Sequence, residues 1–223
     1  MAGPDQRDAP DAQDEADAVA SSQRLDALYA GRPPWEIGRP QPAFLALARS
    51  GAVRGRVLDV GCGTGEHVLM CAGLGLDATG VDLADTALRV AGDKACRRGL
   101  RARFLHHDTR RLADLGERFD TVLDCGMFHM LDADDRPAFT RGLRAVLRPG
   151  GRYFLLCFSD REPGTPGATG PHRLTRDDLT DTFAGPLHLD FAVPATIEIN
   201  LDRPGIRGWL AAMTMLSRPA ERP

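Results

Sequence analysis

The segment VLDVGCGTGEHVLM, Val57 to Met70, narrows the folds open to this chain more than any other feature. An apolar run of strand character enters Gly61, Gly63 and Gly65, and Glu66 then opens a run with helical apolar spacing. A strand, a glycine turn and a helix in that order seat a nucleotide-like ligand at the strand's carboxyl end, because the backbone approaches the ligand with no Cβ in between. The spacing is G-x-G-x-G and not the G-x-G-x-x-G of dinucleotide sites, and a G-x-G alone is a weak signal.

The same strand-then-helix alternation recurs down the chain and predicts an α/β architecture. Strands are expected at Arg56 to Val60, Ala78 to Val81, Arg103 to His106, Phe119 to Asp124 and Tyr153 to Phe158. Helices are expected at Pro42 to Ser50, Glu66 to Ala72, Asp85 to Arg98 and Asp134 to Leu147. Ahead of them, SSQRLDALYA has helical spacing, with Leu25, Leu28 and Tyr29 on one face, and stops at Gly31 before a Pro-Pro step. After Phe158 comes a Gly- and Pro-rich loop, Asp160 to Arg173, long enough to be a substrate loop or plain surface. LHLDFAVPATIEIN and IRGWLAAMTMLSRP then read as two strands of an antiparallel edge hairpin, turning at Asp202 to Gly205.

Composition enters where it excludes partners. Residues 1 to 20 are acidic and nearly free of large apolar side chains, so they read as a disordered tail, with one domain over residues 21 to 223. That tail lacks the basic and apolar regions of a secretory signal, and the five cysteines have no C-x-x-C spacing, which predicts a cytoplasmic protein without disulfides or a metal site. No apolar run reaches the roughly 18 residues of a membrane span. A net charge of −3 offers no basic field for a phosphate backbone, so a nucleic-acid partner is not expected. Arg97, Arg98, Arg101 and Arg103 read as a solvated helix end that complements the helix dipole.

Carboxylates stand at the ends of the predicted strands. Asp59 lies just before the glycine turn, and Asp82 closes the second strand about 20 residues beyond the first glycine, where ribose-binding acids fall. Asp82 also reads as a helix cap. Asp108, after the third strand, is placed to reach an adenine amino group or to cap a loop.

The ordered series LDVGCGTG, VDL, HHD, FDTVLDCGMFHML and LRPGG resembles the motifs of class I S-adenosylmethionine-dependent methyltransferases over roughly residues 42 to 160. Within them, PPWEIGRPQPAF and the C-terminal strand pair are similar to the thiopurine, thiol and halide methyltransferase group and its bacterial small-molecule relatives. The resemblance implies a doubly wound, Rossmann-like, seven-stranded and mostly parallel sheet with an antiparallel C-terminal strand. It implies S-adenosylmethionine as cofactor and a small-molecule acceptor methylated at sulfur, nitrogen or oxygen by a monomer or homodimer. Asp59, Gly61 and Gly63 would lie near the methionine part, Asp82 and Leu83 near the ribose, and Asp108 and Thr109 near the adenine. Cys125 and Phe128 would lie near the sulfonium, while Trp35, Gly38 and Arg39 would belong to a cover spanning residues 21 to 41. Trp35 as plain core packing is the alternative.

For the transfer itself three residues are candidates. His129 could act as general base or merely pack in its turn. His172 could orient or deprotonate the acceptor, and Arg173 could pair with an acidic group on it, or both could be surface residues. His106 and His107 point to opposite faces of a strand and so cannot easily chelate one ion with Asp108; Asp124, Asp132, Asp134 and Asp135 read as a local acidic run that caps the helix from Asp134. Two rival readings share the nucleotide site: a nicotinamide-dependent oxidoreductase and a catalytically silent binding protein.

Overall fold

The computed structural model describes residues 22–164, 171–185 and 187–216. The acidic segment 1–20, expected to be disordered, and the middle of the Gly- and Pro-rich loop lie outside the described residues. The chain begins with helix α1, residues 22–29, and α2, Pro42–Arg49. It alternates through β1 (Arg56–Val60), α3 (Glu66–Gly73), β2 (Asp77–Asp82), α4 (Asp85–Arg97), β3 (Arg103–His106) and β4 (Phe119–Cys125). It continues with α5 (Arg136–Val146), β5 (Leu147–Phe158), α6 (Arg176–Phe183), β6 (Leu187–Ile197) and β7 (Ile206–Met215). One seven-stranded sheet results, in the order β3-β2-β1-β4-β5-β7-β6. All neighbours from β3 to β5 pair in parallel; β7 runs antiparallel to both β5 and β6.

Strand periodicity accounts for the two cores. Along β5, Tyr153, Leu155 and Cys157 enter one apolar cluster with Phe139, Leu143 and Phe183 of α5 and α6. Phe154 and Leu156 enter the other, with Phe44 of α2 and Val68 and Cys71 of α3. Successive side chains on a strand face opposite ways, so a strand buried on both sides must be apolar at nearly every position, as β5 is from Tyr153 to Phe158. The turn-back of the chain between β1 and β4 opens a crevice at their carboxyl ends, the place where open α/β sheets bind ligands.

Two expectations change. Helix α5 starts at Arg136, with Pro137 in its first turn, and neither Asp134 nor Asp135 caps it through a side chain; the carbonyl of Asp132 accepts the amides of Asp135 and Arg136 at 3.1 and 3.2 Å. Strand β5 reaches back through LRPGG to Leu147 by a register shift opposite Phe119 and Thr121. The arginines after α4 are exposed as expected, and two of them are also ion-paired: Arg98 forms a bidentate pair with Glu66, and Arg103 reaches Glu117 at 2.6 Å.

Candidate cofactor and acceptor site

The turn after β1 is built from left-handed glycines. Gly61, Gly63 and Gly65 have φ of +66°, +52° and +82°, a region L side chains enter only at a cost of about 1 kcal/mol or more. Space is equally restrictive: a Cβ on Gly61 would stand 2.7 Å from Met127 Cγ, and one on Gly63 would stand 2.6 Å from the Tyr29 hydroxyl. The turn is fixed from the next strand, since Asp82 Oδ2 accepts the Gly63 amide at 2.8 Å and Oδ1 accepts the Ala84 amide at 2.9 Å. Asp82 does not cap the following helix, whose N-cap is Ala84 without a side-chain cap bond, and each of its carboxylate oxygens keeps a second lone pair.

Below the turn lies an unusual concentration of buried acid. Asp59 is 1% exposed, and its Oδ2 has no hydrogen-bond partner among the described residues. Burial first, then the charges of Asp124 and Asp82, push its carboxyl well above the ordinary range. Asp124 is fully buried and is raised to about 7 by desolvation, although its oxygens accept the Tyr153 hydroxyl at 2.9 Å and the amides of Met127 and Phe128. These groups tie the end of β4 into its turn. A buried carboxyl oxygen without a partner among the described residues, beside the glycine turn, suits a ligand that brings positive charge.

A cover closes over this crevice. Ser22 donates to the Leu83 carbonyl at 2.8 Å, and Asp26 of α1 accepts the amide of Thr86 in the first turn of α4 at 2.8 Å. Trp35 is 46% exposed and donates its indole N–H to the Tyr29 hydroxyl at 3.1 Å, which rules out plain core packing for it. Glu36 bonds the hydroxyl of Thr64 in the glycine turn and lies 3.5 Å from Lys94. Gly38 serves as a turn with φ +71°, and Arg39 pairs with Glu198 beyond β6. The same connection grips the cover again, as Asn200 donates to the carbonyls of Pro33 at 2.8 Å and Glu36 at 3.0 Å.

After β3, Asp108 caps the 3-10 turn Thr109–Leu115 and takes the Arg110 guanidinium on both oxygens. Burial works against its ionisation, yet Arg110 holds it below the usual carboxylate value. Thr109 is buried and donates to the Met127 sulfur at 3.3 Å. Cys125 stays a neutral thiol because burial, with Asp59 and Asp124 nearby, raises it strongly. Phe128 departs from its expected place: it is fully buried against Phe139 and Phe183, with ring centroids 5.6 and 4.9 Å away. Met127 stands beside Gly61 instead.

After β4, His129 is 5% exposed, and its Nδ1 accepts the Phe158 amide at 3.1 Å. Burial, with His172 nearby, lowers it to about 3, so the ring is neutral and carries its proton on Nε2. The His172 amide donates to the His129 carbonyl at 2.7 Å, and its ring Nε2 lies 2.9 Å from Asp132 Oδ1. Arg173 is turned away, its guanidinium donating to the carbonyls of Glu162, Pro163 and Gly164. Tyr29, Glu36 and Met127 were not singled out as site residues from sequence, although each lies in a segment that was read: Tyr29 in the first helix, Glu36 in the Pro-Trp-Glu segment and Met127 in FDTVLDCGMFHML.

Gly63→Ala tests this geometry. It is expected to weaken S-adenosylmethionine binding by about tenfold or more, through backbone strain and the Tyr29 clash. Adding Tyr29→Phe should recover part of the loss, because the next ring atom is 3.5 Å away. Calorimetric titration of both variants decides it, and no recovery would show that Tyr29 does not press on the turn.

A glycine turn at a sheet switch point, with buried carboxylates from neighbouring strands and an overlying cover, defines an α/β protein that holds a cationic nucleoside ligand. The comparisons give that class its family. A methyltransferase domain model matches residues 57–151. The 2-heptyl-1-hydroxyquinolin-4(1H)-one methyltransferase of Mycobacteroides abscessus is 34% identical over 83% of each chain. A probable thiol methyltransferase of Arabidopsis thaliana is 30% identical over 61% of this chain and 62% of its own. A solved structure concerning conversion of a disulfide bond into a thioacetal group during echinomycin biosynthesis superposes with a TM-score of 0.80 at 35% identity, covering 89% of this chain and 93% of that one. The chain belongs to the class I S-adenosylmethionine-dependent methyltransferases.

Proposed function

We propose that this enzyme transfers the cofactor's methyl group to an ionisable oxygen or sulfur, or a lone-pair nitrogen, of a small organic acceptor held beside Met127, His129 and His172. The observation that carries the cofactor half is the unpartnered buried Oδ2 of Asp59 beside the glycine turn. Asp59, Gly61 and Gly63 would hold the methionine end, Asp82 and Leu83 the ribose, and Asp108 and Thr109 the adenine. Cys125 and Met127 would border the reacting centre, and Trp35, with Tyr29 and Glu36, would keep the cover shut.

Bound S-adenosylmethionine supplies a methyl already activated by its sulfonium. What remains for the chain is alignment and exclusion of water, and positioning alone is worth up to about 7–11 kcal/mol of barrier. His129 does not suit a general base, because Nδ1 is committed to the Phe158 amide and Nε2 already carries a proton. It suits a donor that steadies an electron-rich acceptor atom. His172, oriented by Asp132, is the group able to take a proton where one must leave, in the manner of a carboxylate-steered imidazole. Arg173 holds the loop after β5 in shape and does not need to meet the acceptor.

Support for an acceptor with an acidic hydroxyl comes from the hydroxyquinolinone activity of the Mycobacteroides relative. We assign one domain over residues 21 to 223 with its cover at 21 to 41, acting in the cytoplasm as a monomer or homodimer, with no nucleic-acid partner. The net charge of −3 favours small acceptors over phosphate backbones.

A panel of hydroxyquinolinones, phenols, thiols and N-heterocycles, assayed for methyl transfer, tests the reading. His172→Ala is expected to slow transfer about 10²-fold or more to weakly acidic hydroxyls and little to thiols already ionised. A uniform loss across the panel would remove the base role. No transfer to any class, with the cofactor bound, would favour the silent binding protein.

A further inference from the structure

His67, the second residue of α3, takes no part in the site as drawn so far, yet it lies between the cover and the cofactor carboxylate. Its Nε2 accepts the backbone amide of Gln41 at 3.1 Å. Its Nδ1 stands 3.8 Å from Asp59 Oδ2, the oxygen with no other partner among the described residues. The ring packs edge-on against Phe44, with centroids 4.9 Å apart, and is only 12% exposed.

These contacts determine which nitrogen carries the proton. A neutral imidazole has one donor and one acceptor nitrogen. Burial keeps the ring neutral by lowering it to about 4, outweighing the opposing charge of Glu66. Since Nε2 receives an amide N–H, the proton belongs on Nδ1, the edge turned to Asp59. A separation of 3.8 Å is too long for a formed hydrogen bond, but it sets a polarised N–H against an unpartnered carboxylate oxygen. The other titratable groups that act on Asp59 are acids, Asp82 and Asp124, and the buried thiols of Cys62, Cys71 and Cys125. His67 is the neighbour that brings positive polarity.

Gln41, which sets this tautomer, is itself the clasp of the cover. Its side-chain amide donates to the Glu198 carbonyl at 2.9 Å and accepts the Glu198 amide at 2.9 Å. We infer that His67 is a positioning residue that links the seating of the cover, through Gln41, to the orientation and charge of Asp59, and so to cofactor affinity. The inference rests on the reading that Asp59 faces the cofactor.

Two measurements test it. In the free protein at neutral pH, a long-range ¹H–¹⁵N correlation spectrum, assigned by comparison with His67→Asn, is expected to show a neutral ring protonated on Nδ1. A ring protonated on Nε2 alone, or doubly protonated, would overturn the inference. The second is calorimetric titration with S-adenosylmethionine from about pH 6 to about pH 9. His67→Asn keeps an N–H donor at the δ position and is expected to bind within about threefold of the native protein with the same pH midpoint. His67→Phe fills the space without a donor and should bind about tenfold more weakly at neutral pH, its midpoint moved up by about one unit. Identical pH profiles for all three proteins would leave His67 as packing alone. Asp59→Asn in the same titration separates the premises: if it binds like the native protein, the cofactor reading fails; if it loses binding while His67→Phe does not, only this inference fails. Should His67→Phe not fold, the tautomer in the native protein still decides.

Discussion

Asp59→Asn is expected to bind S-adenosylmethionine on the order of 10²–10³-fold more weakly than the native protein, the scale of breaking a buried charge pair, while melting no lower without cofactor. The two effects have one origin. Burial, reinforced by Asp124 and Asp82, raises the Asp59 carboxyl well above its unfolded value. The folded chain then holds a proton that the unfolded chain has already released. Its contribution to stability is full below about pH 3.9 and is lost as pH rises through the folded value. The neutral amide removes that loss, so the variant should gain on the native protein as pH increases. Binding runs the other way: a cationic ligand favours the ionised carboxylate, so native affinity should strengthen with rising pH and a proton should leave on binding. Titrations in two buffers of different ionisation enthalpy measure that proton, and thermal melts measure the stability. An Asp59→Asn protein with native affinity would end the assignment of this carboxylate to the cofactor.

Asp82→Ala should fail in both respects. The carboxylate accepts the Gly63 and Ala84 amides, and it is 7% exposed, so its removal strands two buried donors. At about 1–3 kcal/mol for each unsatisfied group, melting should fall by several degrees, given about 2–4 °C per kcal/mol for a chain of this size. Affinity for the cofactor should drop by at least a similar 1–3 kcal/mol, roughly 5- to 150-fold. The contrast with Asp59→Asn is diagnostic, since one acid shapes the turn and the other waits inside it. Native melting and native affinity in Asp82→Ala would contradict the hydrogen bonds that fix Gly63.

The parallel core was legible because each signal there is local. Strands β1 to β4 start or stop within about a residue of expectation, and Asp59, Asp82 and Asp108 do gather at one sheet edge, since adjacent parallel strands share an end. The expected antiparallel strand at the end of the chain is β7, with β6 outermost. What could not be read depends on distant partners. Gly126 has φ +88°, which turns the chain so that Met127 meets Gly61 and Phe128 goes inward. The state of His129 depends on an amide at Phe158, and that of His67 on one at Gln41. Neither spacing nor residue type announces such pairings. LRPGG lies outside the strand expected at Tyr153 to Phe158, Pro and Gly being scarce in strands, yet a register shift absorbs it at the start of β5.

The attachment of residues 33–41 to Glu198 and Asn200 has a bearing on how the enzyme is born. Synthesis runs from the amino end, so a nascent chain halted before Glu198 already carries the glycine turn and every carboxylate around it. It lacks the hydrogen bonds and the Arg39 ion pair that pin the front of the polypeptide in place. The ribosome therefore delivers part of the fastening after the site itself: residues 33–41 gain these bonds only once residues 198–200 have emerged.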